Sequence, residues 1–302
     1  MNSDVLTLDD LRAWKPGEPP MRLAVLGDPV AHSLSPQMHN PALEACGIAA
    51  RYGKIHVRPS EFREALRLLG SLGFIGVNCT IPHKFAALEA VDEVAAAARR
   101  LGAVNTVIFR ADGSTEGRNS DGPGFLRTVS GEFGRSVRDL RILILGAGGG
   151  AGQAADVQCA MEGCRSLLLA NRTREKADQV AAGLAGLPGG DVVRVVPWES
   201  GALRGELDGV DLIVNGTSLG MTAGDPPLVP YDALRPGHLV YDMVYKPLET
   251  PLVAAARAAG AAAINGLPML LWQGVQSFEW WFGREAPVDV MRAGLQAATG
   301  WR

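Results

Sequence analysis

The chain has 302 residues, 47% of them hydrophobic, which is about two domains on a prior of roughly 150 residues each and enough apolar mass for two cores. A formal net charge of −3 with 20% charged residues offers no basic excess of the kind a phosphate backbone requires, so the composition argues against nucleic acid and for a small-molecule partner. Cys46, Cys79, Cys159 and Cys164 fit neither a redox pair nor a zinc framework. The first twenty residues lack a basic start followed by an apolar core, and no run nears the roughly 20 apolar residues of a membrane span. The expected location is therefore the cytoplasm.

In chain order, residues 1–20 form an extension that is read either as a disordered arm or as a segment packing Leu6, Leu8, Leu11 and Trp14 on the body. MRLAVLGDP reads as a buried strand entering a loop, SPQMHNPALEACG and EFREALRLLGSLG as helices, and FIGVNCTI as a second strand. FAALEAVDEVAAAARRLG is expected as one helix, AVNTVIFR as a strand and GRNSDGPGF as a loop. From Arg141 the apolar runs RILIL, SLLLANRT, DVVRVVPW, VDLIVNGTS and HLVYDMVY alternate with helical or polar segments, the pattern of a doubly wound parallel sheet, and AAARAAGAAAI is read as helix. The segment from PMLLWQG onward is expected as helices that return to the first domain. The predicted architecture is thus α/β in two domains. Residues 21–122 with 268–302 form a substrate domain, and 123–267 a Rossmann-like nucleotide-binding domain.

Gly146, Gly148 and Ala151 fit G-x-G-x-x-[G/A] directly after the strand RILIL. The first glycine serves the tight turn, the second a close approach of backbone to pyrophosphate, and the third position helix packing. Twenty-five residues beyond Gly146, where an NAD enzyme places an acid on the ribose, the chain has Asn171, Arg172, Thr173, Arg174 and Lys176. Guanidinium and ammonium groups at that place select the 2′-phosphate of NADP, because cations at a helix N-terminus oppose the dipole unless an anion joins them.

Polar clusters occupy the ends of the predicted strands of the first domain: Ser33 and Ser35, then Asn78, Thr80 and Lys84, then Asn105, then Asn119, Ser120 and Asp121. Singly, each has an ordinary explanation as a helix cap, a turn or a surface cation. Together with NGTSLGM, YDMVYKPLETPL and NGLPMLLWQG, these strings resemble, in order from residue 22 to about 283, the motifs of the shikimate dehydrogenase family. The resemblance implies an NADP-dependent oxidoreductase interconverting 3-dehydroshikimate and shikimate in aromatic amino acid biosynthesis. It implies Lys84 and Asp121 as the catalytic pair, Ser33, Ser35 and Tyr245 on the substrate carboxylate, and Thr80, Asn105, Asp121 and Gln273 on its hydroxyls. Cofactor contacts are implied from the loop Gly146, Ala147, Gly148, Gly149 and Gly150, from Asn171, Arg172, Thr173 and Lys176, and from Thr217, Met243 and Gly266.

The chain departs from the family pattern at Ser120, where threonine is usual, at Cys79, where a β-branched residue is usual, and in a glycine loop that continues as GGAG. None removes a proposed catalytic group, and the Ser120 change, beside Asp121, bears on substrate breadth, including quinate. A quinate or aminoshikimate dehydrogenase on the same fold is the alternative enzyme, and a non-catalytic ligand sensor the alternative of another class. The histidines His32, His39, His56 and His83 have no metal-ligand spacing, so no metal is expected. The expected state is a monomer or homodimer.

Overall fold

The computed structural model describes residues 5–15, 17–149 and 152–301. It divides into a first unit, Met1–Pro123 with Leu271–Arg302, and a second, Gly124–Leu270.

In the first unit, β1 (Val5–Leu6) and α1 (Leu8–Arg12) precede β2 (Met21–Gly27), α2 (Ser35–Ala45), β3 (Arg51–His56), α3 (Phe62–Ser71) and β4 (Gly76–Cys79). Then come α4 (Lys84–Ala90), β5 (Glu93–Val94), α5 (Ala96–Leu101), β6 (Thr106–Phe109) and β7 (Thr115–Arg118). The seven strands lie in the order β1-β3-β2-β4-β6-β7-β5. The pairs on the β1 side of β4 are parallel, whereas β6 runs antiparallel to both β4 and β7.

From Val5 the described part of the extension at the chain start is built into this sheet. Val5 and Leu6 pair with Lys54 and Ile55, Thr7 and Asp10 form a capping box on α1, and Leu8 and Leu11 are buried in the core with Phe62, Leu66 and Phe74. Burying side chains of this size stabilises by about 1.5–3 kcal/mol each, which outweighs the poor intrinsic stability of a five-residue helix.

The stretch read as one helix from Phe85 is two helices with β5 between them. Asp92 and Thr115 exchange hydrogen bonds (Asp92 N to Thr115 Oγ1, 3.0 Å; Thr115 N to Asp92 Oδ2, 2.8 Å), and Glu93 and Val94 then pair with Glu116 and Gly117. Cross-strand pairing overrides the helical propensity of the flanking alanines.

The second unit begins inside α6 (Asp121–Phe133) and continues with β8 (Arg141–Leu145), α7 (Gly152–Glu162), β9 (Ser166–Ala170), α8 (Arg174–Leu184), β10 (Val193–Val195) and α9 (Ser200–Leu207). It closes with β11 (Leu212–Asn215), β12 (Leu239–Asp242), α10 (Pro251–Ala258) and β13 (Ala262–Ile264). All six strands are parallel, in the doubly wound order β10-β9-β8-β11-β12-β13. The central strands read as continuous apolar runs because both their faces are covered. Strand β13 replaces the end of the alanine-rich stretch read as helix: the chain turns at Gly260, whose φ is +75°, and pairs with β12. Helix α11 (Leu267–Phe282) carries the chain back to the first unit, where α12 (Val288–Thr299) packs on α2 so closely that a Cβ on Gly294 would overlap the Gln37 carbonyl.

Candidate functional site

Register sets which side chains meet at the end of the first sheet. Asn78 on β4 is opposite Thr106 on β6, and Thr106 is opposite Arg118 on β7, so the chain segments after Cys79, before Thr106 and after Arg118 lie at one end. These segments carry Thr80 and Lys84, Asn105, and Asn119 to Asp121.

The pair expected to be catalytic is formed. Lys84, the first residue of α4, donates from Nζ to Asp121 Oδ2 at 2.7 Å, with side chains 21% and 12% exposed, so the contact is shielded yet reachable. Asp121 opens α6 rather than lying in a loop. Its backbone N–H and that of Gly122 bond to Asn119 Oδ1, and a carboxylate in the first helical turn is favoured by the dipole.

A buried network backs this pair. Ser120 N donates to Asn105 Oδ1 at 2.7 Å and Asn105 Nδ2 to Ser120 Oγ at 3.1 Å. Asn78 accepts from the Tyr52 hydroxyl at 2.7 Å, and its amide donates to the Asn105 carbonyl, Thr106 Oγ1 and Ser277 Oγ. Ser277 lies one turn after the half-buried Gln273 on α11 and donates to its carbonyl. Sequence reasoning misses Ser277 and Tyr52; the four-residue spacing from Gln273 is the available signal for Ser277.

Thr80 follows β4 and is packed so close to Gly27 that a Cβ there would fall 2.6 Å from Thr80 Cγ2, which reserves position 27 for glycine. At the start of α2, Ser33 Oγ donates to Ser35 Oγ at 3.2 Å and accepts from Ser35 N, leaving both hydroxyls able to bond further. His39 is fully buried, stacked on Tyr52, with both ring nitrogens unpartnered among the described residues, and burial lowers its pKa to about 3. Among the described residues no cluster of His, Cys, Asp and Glu is arranged to hold a metal.

In the second unit, register aligns Ala170, Leu145, Asn215 and Asp242 across four strands, so the glycine loop, Asn171, Thr217 and Met243 follow neighbouring strand ends. Gly146 has φ +84° and Gly148 +74°; a Cβ on Gly146 would also overlap the Thr217 methyl. These are positions where only glycine fits without strain. Gly150 and Ala151, included in the expected loop, lie outside the described residues. Gly149 N bonds to the Gly146 carbonyl, and buried Ala147 accepts from Asn171 Nδ2 at 2.7 Å, tying the loop to the next strand end.

Gly148 N donates to Asp156 Oδ2 at 2.7 Å. Asp156 is fully buried on α7, its Oδ1 has no partner among the described residues, and desolvation raises its pKa to about 7. Sequence reasoning misses this residue too.

Asn171 Oδ1 accepts from Thr173 N, setting the start of α8. Arg174 pairs with Asp178 at 3.6 Å, whereas Arg172 and Lys176 are exposed and make no ion pair among the described residues. Two unmatched cations beside a helix N-terminus fit the extra phosphate of NADP. Arg172 also lines a cleft of about 550 Å³ with Trp198, Leu219 and Pro226 to Pro230, a volume within the range of small-molecule sites. A second cleft, of about 610 Å³ and bordered by Arg63, Arg67, Phe109 and Arg110, contains none of the expected site residues. Met243 and Tyr245 are half-buried after β12, and burial raises the Tyr245 pKa. Gly266 is buried against Met243, whose carbonyl a Cβ would overlap.

Residues 25–107 match the shikimate dehydrogenase substrate binding domain, and residues 266–296 the shikimate 5′-dehydrogenase C-terminal domain. A shikimate dehydrogenase (NADP(+)) of Moorella thermoacetica is 47% identical over 282 residues, covering 92% of this chain and 93% of that protein. Among solved structures, shikimate 5-dehydrogenase from Thermus thermophilus in complex with NADP(H) and shikimate is 36% identical with a TM-score of 0.80, covering 92% of this chain and 99% of that one. Quinate dehydrogenase from Corynebacterium glutamicum in complex with NAD is 30% identical with a TM-score of 0.80, covering 92% of this chain and 99% of that one.

The parallel sheet with its glycine loop, and the separate α/β unit with a lysine–aspartate pair at its sheet end, define a two-domain α/β protein of the dinucleotide-binding class. Within that class, the chain belongs to the shikimate dehydrogenase family.

Proposed function

We propose that this protein reduces 3-dehydroshikimate reversibly to shikimate with NADPH, in the cytoplasm, as a monomer or homodimer. Residues 21–122 with 268–302 carry the substrate chemistry and 123–267 hold the cofactor. The observation that carries the reading is the shielded Lys84–Asp121 contact of 2.7 Å at the sheet end, in a chain 47% identical to an NADP-dependent relative.

The glycine loop, Asn171, Thr173, Thr217, Met243 and Gly266 would hold NADPH, with Arg172 and Lys176 selecting its 2′-phosphate, and the bound cofactor would supply the hydride. Lys84 Nζ gives a proton to the substrate oxygen during reduction and takes it back in oxidation, a role worth about 10²–10⁴-fold. Asp121 holds Lys84 and accepts from a ring hydroxyl. Ser33 and Ser35 bind the carboxylate, and Thr80, Asn105 and Gln273 bind the remaining hydroxyls. A site built to satisfy several hydroxyls discriminates strongly against analogues lacking one, since its buried polar groups are then unpaired. No helix among the described residues is long and apolar enough to cross a membrane, and the four cysteines are free, in keeping with a reducing compartment.

The test compares wild type with Lys84→Ala for shikimate binding by calorimetry and for NADP reduction by absorbance. Retained binding with turnover lowered at least about 10²-fold is expected. Unchanged turnover would refute the role of Lys84, and shikimate binding without turnover in the wild type would point to a ligand sensor.

A further inference from the structure

Asp242 is a fully buried acid at the end of an otherwise apolar strand, and it has no role in the reading above. Burying a carboxylate is costly unless its oxygens are satisfied, and here three neutral donors converge on it. Oδ1 accepts from Asn215 Nδ2 at 2.8 Å and from Val244 N at 3.0 Å, while Oδ2 accepts from Thr250 Oγ1 at 2.6 Å.

Each donor leads to a loop. Asn215, held by Asp242, accepts through Oδ1 from Thr217 N at 3.0 Å and Thr217 Oγ1 at 2.7 Å, and gives its second amide hydrogen to the Leu219 carbonyl at 3.0 Å. Thr217 Oγ1 in turn accepts from Leu219 N. Val244 follows Met243, whose N–H bonds to the Asn215 carbonyl, and the Val244 carbonyl accepts from Gly266 N at 3.1 Å. Thr250 caps α10 by accepting from Val253 N. One carboxylate thus ties the loop that carries Thr217 to the β12–α10 connection that carries Met243, and reaches Gly266 through the Val244 carbonyl.

Thr217, Met243 and Gly266 follow β11, β12 and β13, on the opposite side of β8 from β9, after which the 2′-phosphate cations Arg172 and Lys176 lie. We infer that Asp242 is a positioning residue that fixes the loops bearing Thr217, Met243 and Gly266 as the platform for the nicotinamide half of the cofactor. The inference rests on the proposed NADP site. It assigns Asp242 no contact with the reacting atoms; the residue acts through Asn215 and the Val244 backbone. A purely structural role would affect the whole unit, whereas positioning of these loops is separable from the Arg172 and Lys176 region at the adenosine end.

Binding of NADP and of 2′,5′-ADP, which carries the adenosine phosphates but no nicotinamide, distinguishes the two. For Asp242→Ala, NADP affinity should fall at least about tenfold, 2′,5′-ADP affinity should stay at the wild-type value, and the unliganded protein should still unfold cooperatively. Turnover should drop on the order of 10²-fold, the cost of misplacing reacting groups by about 1 Å. Asp242→Asn, which keeps the Oδ1 bonds, should recover most of both. If Asp242→Ala does not fold, Thr250→Val removes the Oδ2 bond together with the α10 cap and should show the same selective loss at smaller amplitude, whereas loss of the cap alone would lower stability without separating the two ligands. Equal loss for both ligands, or no loss for either in a folded variant, overturns the inference. Failure of the wild type to bind NADP overturns the proposed cofactor site itself, and the inference with it.

Discussion

At the sheet end of the first unit, Asn78, Asn105, Thr106, Ser120 and Ser277 satisfy one another through buried hydrogen bonds, whereas at the corresponding strand ends of the second unit Arg172 and Lys176 present charge that no described acid meets. The first arrangement is a template made rigid by the chain itself, suited to holding Lys84 against Asp121. The second is electrostatically incomplete, which suits it to receive an anion. On the proposed function, polar groups close to proton transfer are preorganised, and groups that would recognise a phosphate are left open.

The contrast can be broken most severely at Asp121. Asp121→Asn keeps the helix start but removes the charge that holds Lys84, and kcat should fall on the order of 10²-fold with little change in unfolding temperature. A kcat within the error of wild type would mean that the pair is only a structural ion contact.

Next in size is the pH dependence of stability set by Asp156. Its folded pKa of about 7 lies above the usual 3.8. The native state therefore binds the proton more tightly than the unfolded chain, the associated stability is full below pH 3.8, and it is lost as pH rises through about 7. The loss is on the order of a few kcal/mol. Asp156→Asn should abolish this dependence and be the more stable protein at alkaline pH in urea titrations. Parallel pH profiles for the two proteins would contradict the assignment.

Arg172→Ala sharpens the other half of the comparison. Loss of a charge-assisted contact worth about 1.5–3 kcal/mol should raise KM for NADP about 10- to 100-fold and leave KM for NAD unchanged. A rise for both cofactors would mean that Arg172 does not read the 2′-phosphate. The smallest effect is expected at Thr7→Ala, which removes the cap of α1 and should cost about 1 kcal/mol in a urea titration. No change there would show that the start of the chain is not part of the cooperative fold.

How much of this is legible in the sequence follows the range of the interactions. The glycine loop, the apolar strands of the second unit and the cation cluster after β9 are local signals, and each appears where its spacing places it. The helix after Phe85 and the alanine-rich run near residue 260 mislead because β5 and β13 exist only through partners elsewhere in their sheets, at Glu116 and at Leu239. The packing of Leu8 and Leu11 depends on β3 and α3 in the same way. Lys84 and Asp121 are identifiable as residue types in motifs, but their support is not: Asn78 reaches Ser277, 199 positions away, and no periodicity encodes that. Asp156 and Asp242 are hidden for a different reason, since an acid in a helix or at a strand end reads as solvent-facing until burial is known.

The central claim is the reaction itself, and the most direct measurement is the steady-state rate of the wild-type protein with shikimate and NADP beside that with quinate and NAD. The account predicts that kcat/KM with shikimate and NADP exceeds every other pairing. A higher value for quinate, or for NAD with either substrate, would contradict it.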